Sequence, residues 1–244
     1  STSRNWAVWL DEFLEEFPPD PLRYYLGSVA PETKDSDFAW KDFQARNNNE
    51  LADIYGNFIN RSLTFLTRYF DGIVPAPETL NDDDEAILNI LTSSTNTIGL
   101  HFDQFQVRAA IREYVILGNH LNKYFNDQEP WQTRKTDPDR CAATLYVCAQ
   151  AVRTLAIVMA PVLPFSTDKI WIMLNLDGNV SEQHWDTAGE PGVPSGHTVG
   201  KPEILFTKID NDVIEAQIAK LGRPSEELEE AEATEEESED SNTI

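Results

Sequence analysis

From about Trp40 to Phe70 the chain runs without a proline, and Phe43, Leu51, Ile54, Phe58, Phe65, Leu66 and Tyr69 recur mostly at helical spacing. A long amphipathic helix needs this pattern, one apolar stripe to bury and one polar face to solvate. Three further segments read alike: Asp83 to Phe102, Gln106 to Asp127, and Pro138 to Met159, with Pro138 suited to a first turn. Together they predict an all-α chain, an antiparallel helix bundle. Ahead of them Trp6 to Phe17 and Asp20 to Val29 read as shorter helices, separated by Pro18-Pro19.

After the bundle, Asp177 to Lys201 is rich in Gly, Pro and polar residues (Gly189, Pro191, Gly192, Pro194, Gly196) and reads as a long loop. Glu203 to Phe206 reads as extended. Asp210 is placed to cap a helix from Asn211, with Val213, Ile214, Ile218 and Leu221 on one face and Gly222 and Pro224 as stop signals. No internal repeat is present. The longest apolar stretches, such as Ala156 to Phe165, are shorter than a bilayer crossing and are interrupted by Pro161 and Pro164, so no membrane partner is expected. The amino terminus has neither the basic nor the apolar region of a secretory signal, and its lack of Met points to a cut chain.

Net charge argues at first against a nucleic-acid partner, since the chain carries −23 and phosphate binding normally leaves a basic footprint. Ten of those charges sit between Pro224 and Ile244, where no basic residue occurs. With almost no large apolar residues, that tail has too little to bury to offset its ordering entropy and reads as a disordered linker or end. The remainder is still acidic, so any RNA contact must be local, made by a few positioned side chains.

No nucleophile motif, phosphate-binding glycine loop or cluster of metal ligands occurs, so no catalytic residue and no metal are assigned. His101, His120, His184 and His197 are scattered, and Cys141 and Cys148, seven apart in one predicted helix, read as buried core thiols in a reducing compartment. Two features remain. Asn57, Arg61, Thr64 and Arg68 form a polar stripe on the long helix beside the Leu51, Ile54, Phe58 and Phe65 face. Spacing alone favours a solvated face. The run Asp127-Gln128-Glu129-Pro130-Trp131 ends a helix and places a tryptophan in a loop, where it either plugs the core edge or stacks on an unpaired base. A neighbouring Asn and Arg could hydrogen-bond the Watson–Crick edge of such a base.

Asn49-Glu50-Leu51 followed by Gly56-Asn57-Phe58-Ile59-Asn60-Arg61 resembles the anticodon-binding helix of methionyl-tRNA synthetases, and Pro130-Trp131 resembles that family's second anticodon element. The resemblance implies that Asn57 and Arg61 recognise anticodon bases and that Trp131 packs on the first of them, a cytosine. Four other stretches agree. Ser1-Thr2-Ser3-Arg4 looks like the end of the Lys-Met-Ser-Lys-Ser loop that helps hold ATP, with Thr2 where the second signature lysine usually stands, so Thr2 receives no catalytic role. Asp20-Pro21-Leu22-Arg23-Tyr24-Tyr25-Leu26 resembles the helix after that loop, Asp37-Phe38-Ala39-Trp40 the entry to the anticodon helix, and Leu205-Phe206-Thr207-Lys208-Ile209-Asp210 the return segment before the last helix.

The resemblance spans roughly residues 1 to 221 and implies a bundle of the class I synthetase anticodon-binding type. It divides the chain into a connective region (1–42), the bundle (43–176), a long loop with a return helix (177–222) and the acidic tail (223–244). The implied parent is a cytoplasmic methionine-tRNA ligase whose partner is tRNA(Met), acting with ATP by way of a methionyl-adenylate in a catalytic domain of the same chain. Zinc in that missing part stays open, as does an appended tRNA-binding domain after the tail. Two rivals remain at this point: the anticodon-binding part of another class I synthetase, and an all-helical protein-interaction module, which an acidic surface would suit.

Overall fold

The computed structural model describes residues 7–32 and 35–222. The expectations for Ser1 to Arg4 and for the acidic tail beyond residue 222 lie outside the described residues. Two short helices open the chain, α1 (Leu10–Glu16) and α2 (Pro19–Ser28). Pro18 is extended at the junction and Pro19 occupies the first turn of α2, where a missing N–H costs nothing. The stretch read as one amphipathic helix is three joined pieces: α3 (Trp40–Arg46), a π-helical segment (Asn47–Gly56) and α4 (Asn57–Tyr69). Both joints keep right-handed helical dihedrals, so the path is unbroken. Next come α5 (Asp82–Asp103), α6 (Val107–Asp127), the short α7 (Pro130–Thr136), α8 (Pro138–Met159), α9 (Pro164–Leu174) and α10 (Asn211–Lys220).

The bundle is built around α8, which packs against α4, α5, α6, α7 and α9 and is buried at nearly every position from Cys141 onward. By length and composition α8 could cross a membrane, yet 89% of its most apolar window is inside the protein. Cys141 and Cys148 both lie in this core as free thiols, and burial pushes the Cys148 thiol up to about 12. The helix α9 is an addition to the sequence-based expectation. Pro161 and Pro164 read as breakers, but Pro164 sits at the first helical position.

A second, smaller core gathers Phe13, Phe17, Leu22, Tyr25, Trp40, Phe43 and Ile214 from α1, α2, α3 and α10. Its rings meet edge-on or stacked, as Phe13 and Trp40 do at 5.8 Å. On α10 the expected apolar face is narrower than Val213, Ile214, Ile218 and Leu221: Ile214 is buried and Leu221 packs beside it, while Val213 and Ile218 are exposed. Asp210 precedes α10 without a side-chain capping bond.

The segment between α9 and α10 is irregular but closely tied to α8. Buried Gln150 donates to Val193 O at 2.7 Å and accepts from Gly192 N and Val193 N, and Thr154 donates to Ala188 O at 2.6 Å. Arg153 donates to Thr187 O at 2.9 Å, with Gly192 packed so closely on its guanidinium that a Cβ would sit 2.5 Å away. Side chains of the core helix thus satisfy backbone groups that have no ladder to join. Among the described residues Glu203 to Phe206 has no strand partner, and Phe206 is buried.

Candidate nucleic-acid interface

The π-helical segment decides how α4 is presented. Its Ile54 carbonyl, which accepts from Asn57 N along the helix, also accepts from Asn122 Nδ2 of α6 at 3.0 Å. Gly118, one turn earlier on α6, lets the segment come close: a Cβ there would lie 2.5 Å from Ile54 Cγ2 and 3.0 Å from Tyr55 Cε1. Beyond this contact α4 starts at Asn57, which is exposed and makes no side-chain hydrogen bond among the described residues.

One turn on, Arg61 reaches the carboxyl-terminal end of α6. Its Nη1 and Nη2 both donate to Asn126 Oδ1 at 3.0 Å, and its guanidinium lies 4.3 Å from the Phe125 ring centroid and 5.7 Å from that of Trp131. Burial lowers the pKa of this arginine from its usual value. Phe125 and Trp131 in turn are 6.3 Å apart and tilted by 34°. Trp131 remains 37% exposed. One side of the indole therefore backs onto Phe125 while another part meets solvent.

Trp131 is not in a loop. It is the second residue of α7, because Pro130 presets the first helical turn and Glu129, left-handed at φ 42, turns the chain into it. The carbonyl of Glu129 accepts from Gln132 N and Thr133 N, closing that turn. A helical position holds the indole more firmly than a loop would. Of the remaining stripe, Thr64 donates to Asn60 Oδ1 at 3.5 Å, and Arg68 is exposed near the end of α4.

The corner carrying Phe125, Asn126 and Trp131 is anchored from below. Asn81 and Asp84 form a reciprocal capping box at the start of α5. The same Asp84 carboxylate, wholly buried, accepts from Tyr124 Oη of α6 and from Arg140 Nη2 of α8. Burial, with Asp84 alongside, pushes the Tyr124 hydroxyl far up, and Asp84 raises Arg140 despite its partial burial. Sequence reading missed Asn126, Phe125 and this triad. Only the capping box left a trace, an Asn three residues before an Asp at the head of an apolar-periodic run.

The structure thus brings Arg61 and Trp131 together on an aromatic shelf, with Asn57 open to solvent one turn before Arg61 on the same helix. Residues 1–63 match the family model for class I tRNA synthetases (M), and residues 74–225 match the anticodon binding domain of methionyl tRNA ligase. The chain belongs to the methionyl-tRNA ligase family. The stretch matched to its anticodon-binding domain is helical and runs from before α5 through α10, and the rival reading as another class I synthetase falls away. Methionine–tRNA ligases of Porphyromonas gingivalis and Salinibacter ruber are 48% and 43% identical to it over 91% of the chain. The chain spans about a third of the length of these curated relatives, 32% and 33%. Among solved structures, free Mycobacterium tuberculosis methionyl-tRNA synthetase superposes with a TM-score of 0.76 at 29% identity, covering 83% of this chain and 41% of that one. The same enzyme in complex with methionyl-adenylate gives 0.75 at 30% identity, covering 82% and 39%. Asn57 and Arg61 fall in the first matched stretch and Trp131 in the second, so the three candidate residues are drawn from both.

Proposed function

We propose that this chain reads the anticodon of tRNA(Met) through Asn57, Arg61 and Trp131, as part of a longer cytoplasmic protein that joins methionine to that tRNA with ATP. The observation that carries the reading is the seating of Arg61. Two of its N–H groups are committed to Asn126, its face is covered by Phe125, and its other donors are uncommitted among the described residues. A guanidinium fixed in this way presents a planar donor edge to a base without first losing side-chain entropy. The partly exposed indole beside it supplies a stacking surface for an unpaired base, and Asn57 supplies a donor and an acceptor for a neighbouring one. The whole chain is acidic, which fits recognition by a few placed groups rather than by a broad positive surface.

In this reading 43–176 is the anticodon-binding unit and 1–42 links it to a catalytic domain of the same polypeptide, where methionine and ATP would meet as methionyl-adenylate. The test is binding of the chain to initiator and elongator tRNA(Met) and to an anticodon-altered control, at one stated low salt concentration. Trp131→Ala should cost about 1–3 kcal/mol, roughly 5- to 150-fold in affinity, for the cognate tRNAs and far less for the altered one. Equal binding of all these tRNAs by the wild-type chain would falsify the reading.

A further inference from the structure

Two arginines at the edge of the anticodon shelf are left over. Arg134, on α7 one turn after Trp131, places its guanidinium 4.3 Å from the Tyr69 ring centroid, and Arg68, on α4, lies 5.6 Å from the same ring. Among the described residues neither forms an ion pair, although the chain holds 42 acidic residues against 19 basic ones. Arg46, Lys123, Arg140 and Lys208 each pair with a carboxylate, while other described cations such as Arg108 and Arg112 do not, so what sets Arg68 and Arg134 apart is that they share one ring. Arg134 Nε is buried with no hydrogen-bond partner. Two unpaired cations held on one aromatic ring, in an acidic molecule, are arranged for an anion brought from outside.

The anion's class follows from what adjoins them. Tyr69 contacts Phe65 at 5.1 Å, Phe65 contacts Phe125 at 5.5 Å, and Phe125 contacts Trp131, so one aromatic strip runs from the indole to the arginine pair. Arg68 lies seven residues beyond Arg61 on the same helix, about 10 Å along its axis. A nucleotide next to a base stacked on Trp131 brings its phosphodiester over that distance. A guanidinium that lies against a ring keeps its terminal N–H groups for phosphate oxygens, and with its Nε buried Arg134 would bind through those. We propose that Arg68 and Arg134, seated on Tyr69, grip a backbone phosphate of the tRNA beside the base stacked on Trp131. This site rests on the anticodon reading above and adds a contact blind to sequence.

The test compares wild type, Arg68→Gln, Arg134→Gln, the double variant and Trp131→Ala, each titrated with tRNA(Met) and the anticodon-altered control across a salt series. Each arginine lost should lower the slope of log affinity against log salt by about 0.7, the value for single-stranded phosphates, so the double variant should lose about 1.4. Cognate and altered tRNA should weaken by the same factor, leaving their ratio unchanged, whereas Trp131→Ala should lower the ratio and keep the slope. An unchanged slope in the double variant overturns the phosphate site while the anticodon reading stands. So does a changed ratio at constant slope, which would mark a base contact. A wild type that fails to discriminate overturns the anticodon reading, and the slopes then still decide the phosphate site. No tRNA binding at low salt overturns both. Arg68→Gln, at an exposed position, carries the slope measurement by itself if the double variant does not fold.

Discussion

Arg61 is held by a neutral acceptor rather than by a carboxylate. A carboxylate opposite it would compete with the base that Arg61 is proposed to read, whereas Asn126 Oδ1 takes one N–H from each terminal nitrogen and leaves the charge unneutralised. A hydrogen bond to a charged group contributes about 1.5–3 kcal/mol when buried, and at this exposed position about 1 kcal/mol is expected. Asn126→Ala is therefore expected to weaken tRNA(Met) binding roughly fivefold, with a smaller effect on an anticodon-altered tRNA. Equal losses for both tRNAs would show that Asn126 does not position Arg61 for base reading. Asn57, Arg61 and Trp131 could be singled out as candidates because they sit in motifs that resemble a known family. Asn126 and Phe125 were not, because their partner Arg61 lies 65 residues away from Asn126 in sequence and nothing in a local pattern marks that pairing.

Among the elements, the four long apolar-periodic stretches were readable nearly to their ends, since burial against a shared core imposes the helical period that the sequence displays. The π-helical segment was not read, although a signal for it exists. Phe43, Asn47, Leu51 and Tyr55 are all buried and recur every fourth residue, a spacing that drifts around an ordinary α-helix but stays on one side when some turns are wider. That widening turns α4 so that Asn57 and Arg61 face outward while Phe58 and Ser62 face the core. It depends on close approach at Gly118. Gly118→Ala should destabilise the fold by about 1–3 kcal/mol through overpacking against Ile54 and Tyr55, read as a lower urea midpoint at unchanged slope. It should also weaken tRNA(Met) binding more than a substitution of equal thermodynamic cost remote from α4. A stability and affinity indistinguishable from wild type would mean that the segment does not depend on this contact.

At the scale of the molecule, the two cores meet through α2, whose Tyr24 lies in the main core, and through polar contacts that no local pattern announces. Asp20, read in the sequence only as the head of a helix, accepts from Ser166 N at 2.6 Å and so caps α9 from 146 residues away. Arg23 donates to the carbonyls of Val162 and Pro161 at 2.9 and 3.1 Å, at the turn between α8 and α9. Beside the packing of α2 on α6, the aromatic core of α1, α2, α3 and α10 is thus fastened to the bundle by an acid at a helix amino terminus and a cation at two carbonyls, where each charge meets the matching end of the backbone dipole. Asp20→Asn keeps the side chain's shape and an acceptor but removes the charge, and Asp20→Ala removes both. The alanine variant is expected to lose about 0.5–2 kcal/mol, the asparagine variant less. Because the contact joins two units rather than filling either, hydrogen exchange in the alanine variant should show faster opening of α1, α2 and the amino end of α9, with protection in the middle of α8 retained. Uniform loss of protection across α8 as well would mean that the two cores open as one cooperative unit and that the small core has no separate stability to lose.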